Sequence, residues 1–195
     1  VLIPRQDTEI LVEEVLKELH DGMRVLDMCT GSGCILLSLL HYSNDCEGLG
    51  VDLSAEALEV AGRNVLKVLP PEKAEHAHFL QSDLFEKVEG KFEIIVSNPP
   101  YIASAEVEKL MPEVRDHEPR MALDGTEDGL CFYRRIIEEA GNHLVSSGML
   151  FFEIGYDQGQ AVSELMRTGG YREVQVVQDY AGLDRVVLGT YVERN

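Results

Sequence analysis

Asn98-Pro99-Pro100-Tyr101 is the stretch of this chain whose residue types ask for a chemical explanation. It closes the run 91–98, "KFEIIVSN", which reads as a strand. Proline lacks an N–H and fixes φ, so two in succession take the chain rigidly out of a sheet. The Asn98 side-chain oxygen and a neighbouring proline carbonyl then form a pair of fixed acceptors. A substrate –NH2 on an sp2 carbon has two hydrogens to give to such a pair. Accepting both orients the nitrogen and enriches its electron density, and Tyr101 can pack on the planar group. A turn that merely ended a strand would not need these four residues in this order.

The elements that must hold this tetrad follow a regular alternation. Residues 23–28, 46–54, 77–83, 91–98 and 148–155 read as strands, and 34–40, 55–69, 129–145 and 158–170 as helices. Ser54 is placed to cap the second helix and Pro70-Pro71 to stop it. Such alternation predicts an α/β fold with a mostly parallel sheet and helices on both faces. The last two strands, 171–179 and 184–192, leave no room for a crossover helix, so they should close the sheet as an antiparallel hairpin. The segment 102–128 lacks periodicity. A loop of that length directly after the tetrad reads as a substrate-side wall, with Arg115, Arg120 and "DGTEDG" as candidates for ordering it.

Parallel sheets bind ligands beyond the carboxyl ends of their strands, which selects three more places. "DMCTGSGCI" (27–35) puts Gly31 and Gly33 between a strand and a helix, where a backbone can approach a ligand. Leu36 replaces the third glycine of a dinucleotide fingerprint. Asp52 ends the next strand at about the 20-residue separation at which an acid accepts hydrogen bonds from ribose hydroxyls. In "SDLF" (82–85), Asp83 could meet an exocyclic amine and Leu84 an adenine face. An amide nitrogen is a poor nucleophile, because its lone pair is delocalised into a bond whose rotation barrier is ~18–20 kcal/mol. It needs a reactive electrophile, and S-adenosylmethionine offers a methyl on a cationic sulfur. Holding the partners in line can contribute ~7–11 kcal/mol, and the proton can leave as or after the N–C bond forms.

The bulk composition agrees with that chemistry. The 195 residues suit one domain, and the net charge of −18 suits a cationic ligand or a protein partner better than bare nucleic acid. No Lys/Arg cluster exceeds the pair Arg134-Arg135. No apolar run approaches the ~20 residues that span a bilayer, and no signal peptide is visible. Cys29, Cys34, Cys46 and Cys131 form no CxxC pair, which fits a reducing cytosol. His76 and His78 alternate in "HAH", but no further ligand stands at metal spacing, so no metal is expected. The first residues, "VLIPRQDTE", read as the middle of a longer protein.

Together, "DMCTGSG", "GVDLS", "SDLF" and "SNPPYI" resemble class I S-adenosylmethionine-dependent amino-methyltransferases. "VLIPRQDTE", "EPRMALDGTEDGLCFYRRI" (118–136) and "AGLDRVVLG" (181–189) narrow the resemblance to the HemK/PrmC family, the methyltransferases of peptide chain release factors, over essentially the whole chain. The resemblance implies a Rossmann-like fold. It also implies methylation of the glutamine side-chain nitrogen in the release factors' Gly-Gly-Gln motif, with S-adenosylhomocysteine as product. On that basis Cys29, Thr30, Gly31, Ser32 and Gly33 cradle the cofactor. Asp52, beside Leu53, binds its ribose. Asp83 and Leu84 border its adenine. Asn98, which also borders the cofactor, holds the glutamine amide with Pro99, Pro100 and Tyr101. Cys29 departs from the family's usual glycine and Gln6 from its usual proline. Residues 1–195 are expected to be one catalytic domain of a cytoplasmic monomer, without the helical N-terminal domain that helps family members to hold the release factor. Three rivals remain open. A nucleic-acid amino-methyltransferase shares NPPY but fits the charge poorly. A non-catalytic cofactor-binding scaffold has no use for the acceptor pair. A nicotinamide dehydrogenase is opposed by Leu36 and the final hairpin.

Overall fold

The computed structural model describes residues 1–193; residues 194–195 of the expected domain lie outside the described residues. Along the chain run α1 (Thr8–Glu18), β1 (Arg24–Met28), α2 (Cys34–Tyr42), β2 (Glu47–Asp52), α3 (Ala55–Val68), α4 (Pro71–Ala74), β3 (Ala77–Gln81) and β4 (Phe92–Ser97). They are followed by α5 (Ser104–Val107), α6 (Pro112–Arg115), α7 (Cys131–Ala140), β5 (Leu144–Glu153), α8 (Gly159–Thr168), β6 (Tyr171–Gln178) and β7 (Asp184–Tyr191). The strands form one seven-stranded sheet in the order β3-β2-β1-β4-β5-β7-β6. β1 to β5 are parallel, and β7 runs antiparallel between β5 and β6. This is the sheet and terminal hairpin that the sequence predicts. The strand order reverses between β1 and β4, so their carboxyl ends open a crevice there.

Successive strand residues face opposite sides of the sheet, and the apolar residues divide accordingly. Leu26, Met28, Ile95, Leu150 and Phe152 pack with Tyr133 and Ile136 of α7 and with Val162 and Met166 of α8. Val25, Ile94, Val96 and Phe151 pack on the other face with Leu11 and Val15 of α1 and Leu36 and Leu40 of α2. Ser54 caps α3 as expected, its side chain accepting from the Ala57 N–H at 3.1 Å.

Besides the single turns α4, α5 and α6, which have no counterpart among the expected elements, two longer features differ. Helix α1 has no counterpart among them, although Leu11, Val15 and Leu19 recur at the helical spacing of four and are buried. The helix expected over 129–145 ends at Ala140, and Leu144 and Val145 instead begin β5. The His143 carbonyl accepts from the Phe92 N–H at 2.8 Å, so the chain has already turned into the sheet there.

The segment after β4 is tied down in detail. Ile102 donates to the Leu123 carbonyl (3.0 Å) and accepts from the Gly125 N–H (2.8 Å). Ser104 Oγ donates to Asp124 (2.6 Å). Arg120 reaches Glu108 at 2.6 Å and Asp124 at 3.3 Å, whereas Arg115, among the described residues, pairs with its neighbour Asp116. Arg5 pairs with Glu118 at 2.5 Å, joining the N-terminal segment to this wall. The "DGTEDG" turn presses onto the tetrad. A Cβ on Gly125 would lie 2.8 Å from the Pro100 oxygen, and one on Gly129, at φ +72°, would lie 2.3 Å from the Tyr101 oxygen. Gly129→Ala combines a left-handed backbone with a backbone clash, and should cost about 2–5 kcal/mol in urea unfolding. A cost below about 1 kcal/mol would mean that the turn moves away freely.

Candidate active site

Asp27 is a carboxylate in the middle of the sheet with 0% exposure. Its Oδ2 accepts from Thr30 Oγ1 (2.6 Å) and from the Leu36 N–H (3.2 Å), and its Oδ1 has no partner among the described residues. Gly33 caps α2 without a side chain, so Asp27 satisfies a donor that the helix leaves open. Burial pushes its carboxyl up to about 7, against the lowering effect of these two hydrogen bonds. The loop it anchors is also fixed to β2. The Thr30 N–H donates to the Val51 carbonyl at 2.9 Å, and the Gly31 N–H to Asp52 Oδ2 at 2.9 Å. Asp52 Oδ1 accepts from the Ser54 N–H at 2.9 Å. Each Asp52 oxygen therefore keeps lone-pair capacity for a hydroxyl donor.

A cleft of about 400 Å³ opens at the carboxyl ends of β1, β2 and β4. Its wall includes Cys29, Asp52, Leu53, Asp83, Leu84, Asn98 and Pro100. Thus residues from all four strand ends singled out in the sequence share one cavity of ordinary ligand size. Thr30, Gly31, Ser32, Gly33, Pro99 and Tyr101 are not part of that wall. Thr30 and Ser32 are buried, the first bonded to Asp27 and the second accepting at its carbonyl from Asn64 Nδ2 (2.9 Å). A Cβ on Gly33, at φ +77°, would meet Ala61 at 3.1 Å, so this glycine allows α2 to pack on α3. Asp83 is paired through Oδ1 with Arg135 at 2.9 Å. Leu84 is 4% exposed at φ +47°.

Tyr101 packs against the core, and burial raises its phenol to about 12. Its carbonyl accepts from Gln158 Nε2 at 3.0 Å, while Gln158 Oε1 accepts from the Gly155 N–H at 3.0 Å. One amide thus fastens the exit of the tetrad to the exit of β5. Sequence reasoning assigned no role to Asp27, Phe132, Gln158 or Glu153. Asp27 and Glu153 carried a readable signal, being acids within otherwise apolar strand ends, "RVLDM" and "GMLFFE". Among the described residues no group of His, Cys, Asp and Glu is arranged to hold a metal.

Cys29 stands at φ +62°, a left-handed conformation that favours glycine. Cys29 lines the cleft and packs against the core, and burial holds its thiol well above its ordinary range, which makes it a poor nucleophile.

Residues 6–114 match the model of the family described as "Methyltransferase small domain". A release factor glutamine methyltransferase of Thermodesulfovibrio yellowstonii is 44% identical over 96% of this chain and 68% of its own length. A protein of the same name from Clostridium acetobutylicum is 45% identical over 96% of this chain and 67% of its own length. The chain therefore spans about two thirds of these relatives. The crystal structure of a release factor-specific protein-(glutamine-N5) methyltransferase from Alicyclobacillus acidocaldarius superposes with a TM-score of 0.57 at 30% identity, covering 98% of this chain and 95% of that one.

Two outcomes follow from this geometry. Cys29→Gly should be more stable than Cys29→Ala by about 0.5–1 kcal/mol, the left-handed strain less the freedom glycine regains when unfolded. Cys29→Ala more stable than Cys29→Gly by about 0.5–1 kcal/mol would show that no strain is held at this residue. For Asp27, the folded carboxyl keeps its proton up to about 7 while its ordinary value is 3.8. The native state binds the extra proton between those values, so Asp27 makes stability fall as pH rises through that window. Asp27→Asn lacks this loss. Its stability relative to wild type should rise by up to about 4 kcal/mol between pH 4 and pH 8, and a difference constant with pH would contradict the assignment.

Proposed function

The chain belongs to the release factor glutamine methyltransferase family, whose reaction uses S-adenosylmethionine, and we propose that it methylates the side-chain nitrogen of the glutamine in the Gly-Gly-Gln motif of peptide chain release factors. The observation that carries this reading is the shared cleft. Asp52, with acceptor capacity for ribose hydroxyls, and Asn98 with Pro100, with acceptor capacity for an amide, line the same cavity.

The residues present fit the cofactor. Met28, Val51, Leu84 and Phe132 offer apolar surface for an adenine, Asp83 stands beside them, and Leu53 flanks Asp52. Cys29, Thr30, Gly31, Ser32 and Gly33 form the adjoining loop, whose conformation is fixed by Asp27 and Asp52. Bound S-adenosylmethionine supplies a methyl group on a cationic sulfur. Toward it, Asn98 Oδ1 and a proline carbonyl of Pro99-Pro100 accept the two amide hydrogens of the substrate, fix its plane and enrich its nitrogen. Tyr101 supports that geometry from the core side as a neutral phenol. No residue need remove a proton before attack, because the amide proton becomes acidic only as the new N–C bond forms.

On the same reading the chain acts as a single catalytic domain, as a monomer, in the cytoplasm, with the release factor as protein partner and without binding nucleic acid directly. No helix among the described residues is long and apolar enough to cross a membrane. The net charge of −18 opposes a nucleic-acid substrate.

Methyl-labelled S-adenosylmethionine should transfer label to the glutamine of a release factor and not to RNA. Label on RNA, or none on either, would overturn the proposal. Asn98→Ala should reduce turnover about 100-fold through misorientation of the nitrogen, while cofactor affinity measured by calorimetry stays within a few-fold. Turnover retained in Asn98→Ala would remove the acceptor role.

A further inference from the structure

Glu153 is a buried acid that the mechanism above does not use. It ends β5 and is 2% exposed. β4 and β5 run parallel with Ser97 opposite Phe152, so the next residues, Asn98 and Glu153, emerge side by side. Thr8 and Asn98 lie close enough to its carboxyl to favour the charged form, and its Oε2 accepts no hydrogen bond among the described residues. The nearby guanidinium is spent elsewhere. Arg185 gives Nε and Nη2 to Asp179 (3.3 and 3.1 Å), reaches Asp7 at 3.4 Å, and gives Nη1 to the Ile154 carbonyl at 3.4 Å. A buried acid left this incompletely paired gives up stability that an apolar side chain would keep. The fold alone therefore gives no reason for an acid here.

The neighbouring asparagine gives one. The two ends of an asparagine amide are nearly isosteric, and only one orientation turns Oδ1 toward the cleft. The other would set an NH2 against the substrate's own NH2. We propose that Glu153 is a positioning residue whose carboxylate takes the Asn98 NH2 and so turns Asn98 Oδ1 toward the substrate nitrogen. This rests on the acceptor role proposed above for Asn98. A carboxylate only accepts, so it selects one orientation. A protonated carboxyl can donate to Oδ1 and admits the flipped amide.

The charge state of Glu153 thus sets the fraction of competent enzyme. Burial raises its carboxyl to about 6, against lowering by Thr8, Arg185 and Asn98 and with a further raising by Asp7. The other titratable groups that feel it are Tyr101, Tyr133 on α7 and Cys34 on α2, all shifted upward, so none of them titrates near 6.

The test compares wild type with Glu153→Gln and Glu153→Met, using a release factor and saturating labelled S-adenosylmethionine. Saturation removes the contribution of Asp27, which acts on the cofactor loop. In wild type the rate should fall as pH drops through about 6. Glu153→Gln, which can still accept from Asn98 but cannot ionise, should keep part of the activity and lose that acid limb. Glu153→Met should lose about 10- to 100-fold in kcat, with cofactor affinity within two-fold and a thermal midpoint at or above that of wild type. In 15N spectra of the cofactor-free protein, the Asn98 side-chain NH2 signals should shift with a midpoint near 6, and this shift should be absent in Glu153→Gln. The proposal falls if kcat in Glu153→Met is within two-fold of wild type, if the acid limb survives in Glu153→Gln, or if the Asn98 signals do not respond to pH. It also falls if rate and stability drop together in Glu153→Met, since that marks a purely structural acid. A wild type that labels no release factor overturns the function proposed above, while the spectra still decide whether Glu153 holds Asn98.

Discussion

One buried carboxylate sets the shape of the cofactor side of the cleft. Asp27 accepts from the Thr30 hydroxyl and from the Leu36 N–H, so the loop between β1 and α2 cannot move without exposing an acid. Thr30 in turn bonds to the end of β2, and Gly31 bonds to Asp52. The result is a chain of hydrogen bonds from the centre of the sheet to the carboxylate at the cleft. This arrangement explains why the buried loop side chains point away from the cavity. Thr30 and Ser32 hold the loop's shape, and the surface a ligand meets is mainly Cys29 and the strand ends.

The substrate side is built by a different device. Two prolines end the sheet, and the chain is then clamped from outside. Gly125 and Gly129 bring the "DGTEDG" turn against the backbone of Pro100 and Tyr101, where no side chain would fit. Gln158 joins Tyr101 to Gly155, tying this turn to the end of β5. Exposed ion pairs such as Arg120–Glu108 contribute little by comparison, on the order of 0–1 kcal/mol. Close packing of backbone on backbone, with buried amide bonds, is the stiffer restraint.

Much of this could be read from the sequence, for identifiable reasons. Apolar runs bounded by glycine, proline and acids gave the strands, and the absence of a helix between the last two gave the antiparallel hairpin. The four strand ends were legible because ligands in such sheets gather there. Helix α1 was not, since its buried residues are interleaved with Glu9, Glu13, Glu14 and Glu18 and its packing partner, α2, is separated from it by β1. The end of α7 was missed because "NHLV" suits a helix locally, and only pairing with β4 decides otherwise. Side-chain direction within the glycine loop, the Arg5–Glu118 pair and the Gln158 clamp depend on contacts remote in sequence, which no local pattern encodes.

Asp27 and Glu153 share a physical signature that a sequence can display. Each is an acid at the apolar carboxyl end of a strand, each is almost fully buried, and each keeps one carboxylate oxygen without a conventional partner. In both, burial is the leading cause that holds the carboxyl above its ordinary range. Both therefore lower stability at neutral pH relative to a protonated or apolar side chain. The two costs are not scattered through the core. One lies at the root of the loop beside Asp52, the other beside Asn98, and these residues face the same cleft from its two sides. Destabilising groups gathered around one cavity are what preorganisation of a site requires, because fixed acceptors and donors must be held in place before a ligand arrives. That convergence of the two buried, raised carboxyls on a single crevice is an argument for where this chain does its chemistry, and it is independent of any motif.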